Sequence, residues 1–226
     1  YKLQNQATTS MDDPDIGISV YNFDSGLIFE RPMSGGLTQT LEPRAYYLFS
    51  EFEDQSMLPL FDTSELNFSF SQLFREDRFS GGDRIGDADQ ASIAITSRIL
   101  DPKGKERARM SLGQIRYFND RQVDLSNPIQ SLIPRYSPLN QKSALAGEFA
   151  LSLGESWRLN TDAQYNEETE ELDEGSFQLR YHRDSDHLFN LAYRYRNLVD
   201  SPHFILPSGI DPRIKQTDLS AAWPIN

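Results

Sequence analysis

Trp157-Arg-Leu-Asn-Thr-Asp-Ala-Gln-Tyr-Asn166 alternates without a break. Its odd positions, Trp157, Leu159, Thr161, Ala163 and Tyr165, suit an apolar medium. Its even positions, Arg158, Asn160, Asp162, Gln164 and Asn166, want water. Successive side chains of a β-strand point to opposite faces, so these residues read as a strand with one apolar face and one wet face. Aromatic rings bound the apolar face at both ends, as in a membrane barrel strand held between two interfacial girdles. Trp157 and Tyr165 lie eight residues apart, roughly 26 Å of strand at about 3.3 Å per residue. A tilt of about 40° leaves roughly 20 Å of height, near the approximately 25 Å apolar band of such barrels.

The alternation extends on both sides. Strands are predicted over 66–74, 88–100, 107–118, 143–153, 175–182, 188–198 and 217–223, with less regular ones over 38–52 and 17–30. In 175–182, Phe177, Leu179 and Tyr181 oppose Gln178 and Arg180; in 188–198, Phe189, Leu191, Tyr193 and Tyr195 oppose Asn190, Arg194 and Arg196. The segment 107–118 changes phase at Gly113, which predicts a bulge there. Pro43 denies its strand a ladder hydrogen bond, and a bulge is expected there too.

Short turns at 101–106, 154–156 and 183–187 alternate with longer loops at 75–87, 119–142, 167–174 and 199–216. Outer-membrane barrels sort their connections in this way, short on the periplasmic side and long outside. On that polarity Trp157, Tyr181, Phe189 and Trp223 form a periplasmic aromatic girdle, and Tyr165 and Tyr195 an outer one. Arg158, Asn160, Asp162, Gln164, Gln178, Arg180, Asn190, Arg194 and Arg196 become lumen-facing.

Bulk composition constrains the rest. A mean hydropathy of -0.59 would suggest a soluble protein, but a barrel hides its lipid face by alternation. No run approaches the roughly 18 to 20 apolar residues of a membrane helix. The chain has no cysteine, so disulfides and thiolate metal sites are excluded within it. The net charge of -12 argues against a nucleic-acid partner. The first residues lack signal-peptide architecture and the last ones stop just after a strand pattern, so an internal section of a longer protein is expected.

Several segments resemble the outer-membrane LPS-assembly family (LptD, also called organic-solvent-tolerance protein). They are Gln39-Thr-Leu-Glu-Pro-Arg-Ala-Tyr-Tyr-Leu48, Phe61-Asp-Thr-Ser64, Ser71-Gln-Leu-Phe-Arg75 and Arg78-Phe-Ser-Gly-Gly-Asp-Arg-Ile-Gly-Asp-Ala-Asp-Gln90. Thr96-Ser-Arg-Ile99, Gly113-Gln-Ile-Arg-Tyr-Phe118 and Ala222-Trp-Pro-Ile225 follow in the family's order. The resemblance implies a very large antiparallel barrel of about 26 strands, preceded by a periplasmic jelly-roll domain. This chain would then be an all-β, partial transmembrane barrel of about 10 to 12 strands, without the jelly roll or the terminal strands. The family's cysteines would lie outside this section. The implied role is non-enzymatic: lipopolysaccharide arrives from periplasmic bridge proteins and passes into the outer leaflet of a Gram-negative outer membrane, with a plug lipoprotein in the lumen. No cofactor is implied.

Other clusters invite chemistry, and each has a plainer reading. The carboxylates of 167–174 could hold a divalent cation that bridges to lipid phosphates; a solvated outer loop explains them as well. Asp83, Asp87 and Asp89 with Arg78 and Arg84 match no calcium loop, and suggest a segment that folds into the lumen or caps it. His182, Asp184, Asp186 and His187 crowd one turn too closely to converge as a triad, and turns favour Asp and Ser anyway. No catalytic or metal-ligating residue is assigned. Two other readings of the chain stay open. A porin or plugged receptor would share the same strand physics. A soluble β-sandwich would pack its apolar faces against each other.

Overall fold

A computed structural model describes residues 16–56, 58–125, 141–198 and 211–224. The protein is all-β. Its main sheet contains β1 (Val20–Gly26), β2 (Phe29–Pro32), β3 (Thr38–Ser50), β6 (Ala88–Leu100), β7 (Glu106–Tyr117), β8 (Leu145–Leu153), β9 (Trp157–Asn166), β10 (Glu171–Asp184), β11 (His187–Asn197) and β12 (Arg213–Ala222). A separate two-stranded ribbon joins β4 (Ser64–Glu65) to β5 (Phe79–Ser80). The main sheet runs β1-β3-β6-β7-β8-β9-β10-β11-β12, with β2 also on β3, and every pairing is antiparallel. It is an open arc: β1 and β12 do not pair with each other. No helix among the described residues is long and apolar enough to cross a membrane, which says nothing of strands.

Register carries the two faces of β9 across its neighbours. Trp157 pairs with Tyr181 and Leu153, Leu159 with Leu179 and Leu151, and Thr161 with Phe177 and Phe149. Between these rows Arg158 pairs with Arg180 and Ser152, and Asp162 with Ser176 and Glu148. A one-residue slip would exchange the two faces, so alternation in each strand locks it to the next. Among the described residues the apolar face meets no second layer: Phe23, Ile93 and Leu219 are 66%, 70% and 69% exposed. A sandwich, which needs its apolar faces packed together, is not what this sequence builds.

Several sequence expectations fail for physical reasons. No bulge occurs at Gly113, where β6 and β7 stay in register from Gln90↔Tyr117 to Ile99↔Ala108. The phase change there marks an inner face that turns apolar beneath another segment. No bulge occurs at Pro43 either, since β3 stays in register with β6 throughout. Instead, Leu27 donates its N–H to the Pro43 carbonyl at 3.1 Å, and the proline has no N–H to return. The edge strand is therefore interrupted there, into β1 and β2.

Residues 66–74 are not a strand. Phe70–Phe74 closes into a 3-10 turn that lies on the polar face of the sheet. The loop expected at 167–174 shrinks to a turn at 167–170, with Glu170 in the left-handed region at φ 56°. One hairpin therefore departs from the alternation of short and long connections.

Candidate functional site: the polar face of the sheet

The nine residues expected to face a lumen all lie on one face of β9, β10 and β11. Arg158, Arg180, Asn190 and Ser220 form one cross-strand row, and Asn160, Gln178, Ala192 and Asp218 the next. Asp162, Ser176, Arg194 and Gln216 follow, then Gln164, Glu174 and Arg196. Polar partners tie several of these rows together. Arg196 donates to Glu174 Oε2 through Nε at 3.1 Å and Nη2 at 2.8 Å. Arg194 meets Asp218 at 3.2 Å, Asn190 donates to Ser220 Oγ at 3.1 Å, and Ser176 Oγ donates to Asp162. A wide groove of roughly 800 Å³ opens over the β9–β12 part of this face.

The aromatic residues group on the opposite face. Trp157 and Tyr181 rings lie 4.7 Å apart, and Tyr181 and Trp223 are stacked at 6.3 Å. Phe189 pairs with Tyr181 across β10 and β11. Towards the other end of the strands, Tyr165 pairs with Leu172 and Leu145, while Tyr195 pairs with Gly175.

Over β3, β6, β7 and β8 the same polar-side face is covered. Residues 51–56 and 58–87 fold back across it and seat Leu73, fully buried, against Ala94 and Ile115, with Phe68, Phe70, Phe74 and Tyr117 around them. Gly113 makes the socket: a Cβ there would stand 2.6 Å from Leu73 Cδ1, 2.8 Å from Ala94 Cβ and 2.9 Å from the Ile93 carbonyl. The Arg44 guanidinium lies 3.8 Å from the Phe74 ring centroid, a cation–π contact. Gln164 reaches from β9 to the Phe68 carbonyl at 2.6 Å.

The Asp and Arg cluster singled out in the sequence holds this cover in shape. Asp83 accepts from the N–H groups of Phe61 and Asp62, each at 2.9 Å. The Asp62 and Phe61 donors, in that order, hold its carboxyl below the usual carboxylate range, because they favour the charged form. Arg84 donates to the Leu58 carbonyl at 2.8 Å. Arg78 pairs with Asp87 at 2.9 Å, largely buried, and also donates to the Asp87 and Val123 carbonyls. Asp87 in turn accepts from the N–H groups of Gln122 and Val123 at 2.7 and 2.9 Å, which fastens residues 119–125 to the cover. Asp89 stands apart, accepting from Tyr47 and Asn119. The parts missed from the sequence are the socket at Gly113 and Gln55, which exchanges two hydrogen bonds with the Ile85 backbone.

The remaining clusters disperse. Of the acidic stretch, Glu167 accepts from Gln114, Glu171 from Asn197 and Glu174 from Arg196. His187 is held by Asp184 at 2.6 Å and sits edge-on to Trp223. Among the described residues no three His, Asp or Glu side chains are grouped to hold a metal.

The whole chain, residues 1–226, matches the family model described as LptD, LPS transport system D. The chain belongs to the LptD family. It is 39% identical over 242 residues to the LPS-assembly protein LptD of Pseudomonas aeruginosa, covering 98% of this chain and 26% of that protein. LPS-assembly protein LptD of Xanthomonas oryzae is 37% identical over 219 residues, covering 94% of this chain and 26% of that protein. The Xanthomonas campestris protein of the same name is 37% identical over 231 residues, covering 99% and 27%. The chain thus spans about a quarter of the length of the curated relatives it matches. Its family membership applies to the sheet described above, whose alternating faces are those of a barrel wall.

Proposed function

We propose that this chain is an arc of a larger outer-membrane β-barrel through which lipopolysaccharide is assembled into the outer leaflet. The observation that carries the reading is one sheet with an exposed apolar face and an opposite face that is polar over β9–β12 and covered over β3, β6, β7 and β8, in a member of the LptD family. The apolar face meets lipid, with Trp157, Tyr181, Phe189 and Trp223 at the periplasmic interface and Tyr165 and Tyr195 at the outer one. The polar face lines the lumen, where its arginines and amides meet the saccharide or a plug lipoprotein. Residues 51–87 act as an inward-folded cap on part of that wall. Periplasmic bridge proteins would deliver the lipid through a domain outside this chain. The role is transport, with no bond made or broken by the chain.

A photoreactive amino acid placed in the full-length protein in growing cells tests this. At Asn160 and Gln178 it should capture lipopolysaccharide or a lumen protein, and at Leu159 and Leu179 only membrane lipid. Capture of protein from the Leu positions, with nothing from the polar ones, would overturn the reading.

A further inference from the structure

The arginines of the polar face fall into two groups. Arg44 faces Asp24, Arg98 faces Glu42 and Glu106, and Arg107 faces Asp101 and Glu155. Arg109 faces Glu106, Arg194 faces Asp218 and Arg196 faces Glu174. Arg158 and Arg180 face each other. They are direct cross-strand partners on β9 and β10, and neither meets a carboxylate among the described residues.

Directly opposed Cβ atoms lie about 5 Å apart, and like charges in that relation destabilise a sheet. The chain carries 34 acidic residues against 22 basic ones, so a shortage of acids does not explain an unmatched pair. Such a pair is retained at a cost unless an anion from outside neutralises it. Both arginines line the groove of roughly 800 Å³ over β9–β12, within the size range of ligand sites. Gln178, Asn190 and Ser220 line the same groove, and its two carboxylates, Glu155 and Asp218, are taken by Lys105 and Arg107 and by Arg194.

We propose that Arg158 and Arg180 bind a phosphate group of a phosphorylated saccharide, with Gln178 and Asn190 taking its hydroxyls. Guanidinium forks match phosphate oxygens two at a time, which a lysine pair could not do. The neutral amides and hydroxyl beside them suit a sugar ring better than the backbone of an acidic peptide. Taking the saccharide to be that of lipopolysaccharide rests on the transport reading; the anion site does not.

The test uses the full-length protein in neutral detergent, at constant ionic strength in chloride, with glucosamine 6-phosphate and glucosamine as probes. The phosphorylated sugar should raise the thermal midpoint by a few degrees and plain glucosamine should not. Arg158→Gln and Arg180→Gln should each abolish most of the rise, while Arg183→Gln, at the register shift near the end of β10, keeps it. Equal shifts with the two sugars in the unaltered protein would overturn the site without recourse to any variant. So would a shift that survives both substitutions. An arginine-dependent shift with polyglutamate and none with the phosphosugar would assign the pair to an acidic protein instead, and also overturns it. A photoreactive residue at Asn190 separates the two layers. Failure to capture lipopolysaccharide there, with arginine-dependent phosphosugar binding intact, keeps the site and removes its link to transport.

Discussion

The polar face of one sheet has two halves that solve different problems. Over β3, β6 and β7 it is covered: Leu73 is fully buried and Ser92, Ala94 and Ile115 lie beneath the folded-back segment. Over β9 to β12 it is bare, and carries long polar side chains such as Arg158, Gln178 and Arg194. The outward face is alike in both, with Ile93 and Phe177 standing exposed. The sheet is therefore alike along its exposed apolar face and specialised on the other. Small residues, Ala94 and Gly113, mark where the wall receives a cover; long charged ones mark where it meets water.

The largest difference is expected at Leu73. Leu73→Ala empties a buried site and should cost the cover about 2–5 kcal/mol. The readout is faster proteolytic cleavage within 51–87 in the folded full-length protein. Asn160→Ala, on the bare half, should stay within about 0.5 kcal/mol. If both substitutions release the cover equally, the two halves are not distinct.

Charge on the outward face should ignore the distinction. Ile93→Lys and Phe177→Lys should each cost about 2–4 kcal/mol if they meet hydrocarbon near mid-bilayer, seen as a loss of heat-modifiable gel mobility or of refolding yield into vesicles. Gln178→Lys, one residue from Phe177 but on the other face, should cost little. A tolerated lysine at Ile93 or Phe177 would remove lipid from that face.

Gly113→Ala should cost about 1–3 kcal/mol by overpacking, because two of the three atoms its Cβ meets, the Ile93 carbonyl and Ala94 Cβ, are held by the sheet. Gly147→Ala is the control: its Cβ would meet Leu112 at an ordinary 3.5 Å. Urea midpoints of the two variants should differ accordingly.

These same residues mark what the sequence could reveal. The bare half was legible because its two faces keep their polar and apolar contrast, so β9 begins and ends where its alternation does, at Trp157 and Asn166. In the covered half, the inner face meets protein, and alternation loses its contrast. Gly113 then looked like a bulge when it is a socket. Leu66, Phe68 and Phe70 alternate like a strand, yet the segment has no partner in the main sheet and its rings pack downward instead. The Arg78, Asp83 and Asp87 cluster suggested a folded-in segment but not its partners, Val123 and Phe61, which lie far from it in sequence and join it over one face of the sheet. At 167–174, acidity suggested a solvated loop, but Glu171 and Glu174 find donors on β11 and extend the strand.

The smallest effect concerns acid, and it separates the halves by their carboxylates. Asp83 holds the cover through backbone N–H donors, and its carboxyl titrates below the usual range. A folded-state value below the unfolded one gives stability that is fully present above the unfolded value, about 3.9, and is lost as pH falls through the folded one. Asp101, in the turn after β6, behaves alike, held low mainly by the Lys105 and Lys103 N–H groups and by Arg107. Neutral and mildly acidic buffers should therefore leave the cover in place. Below about pH 4 its cleavage within 51–87 should quicken while the sheet persists, because the backbone bonds that pair β9 to β12 do not titrate. Asp83→Asn should abolish the acid step for the cover, since the amide cannot match the charged acceptor at Phe61 and Asp62 at any pH. A cover that loosens near pH 6 instead would point to a group other than Asp83.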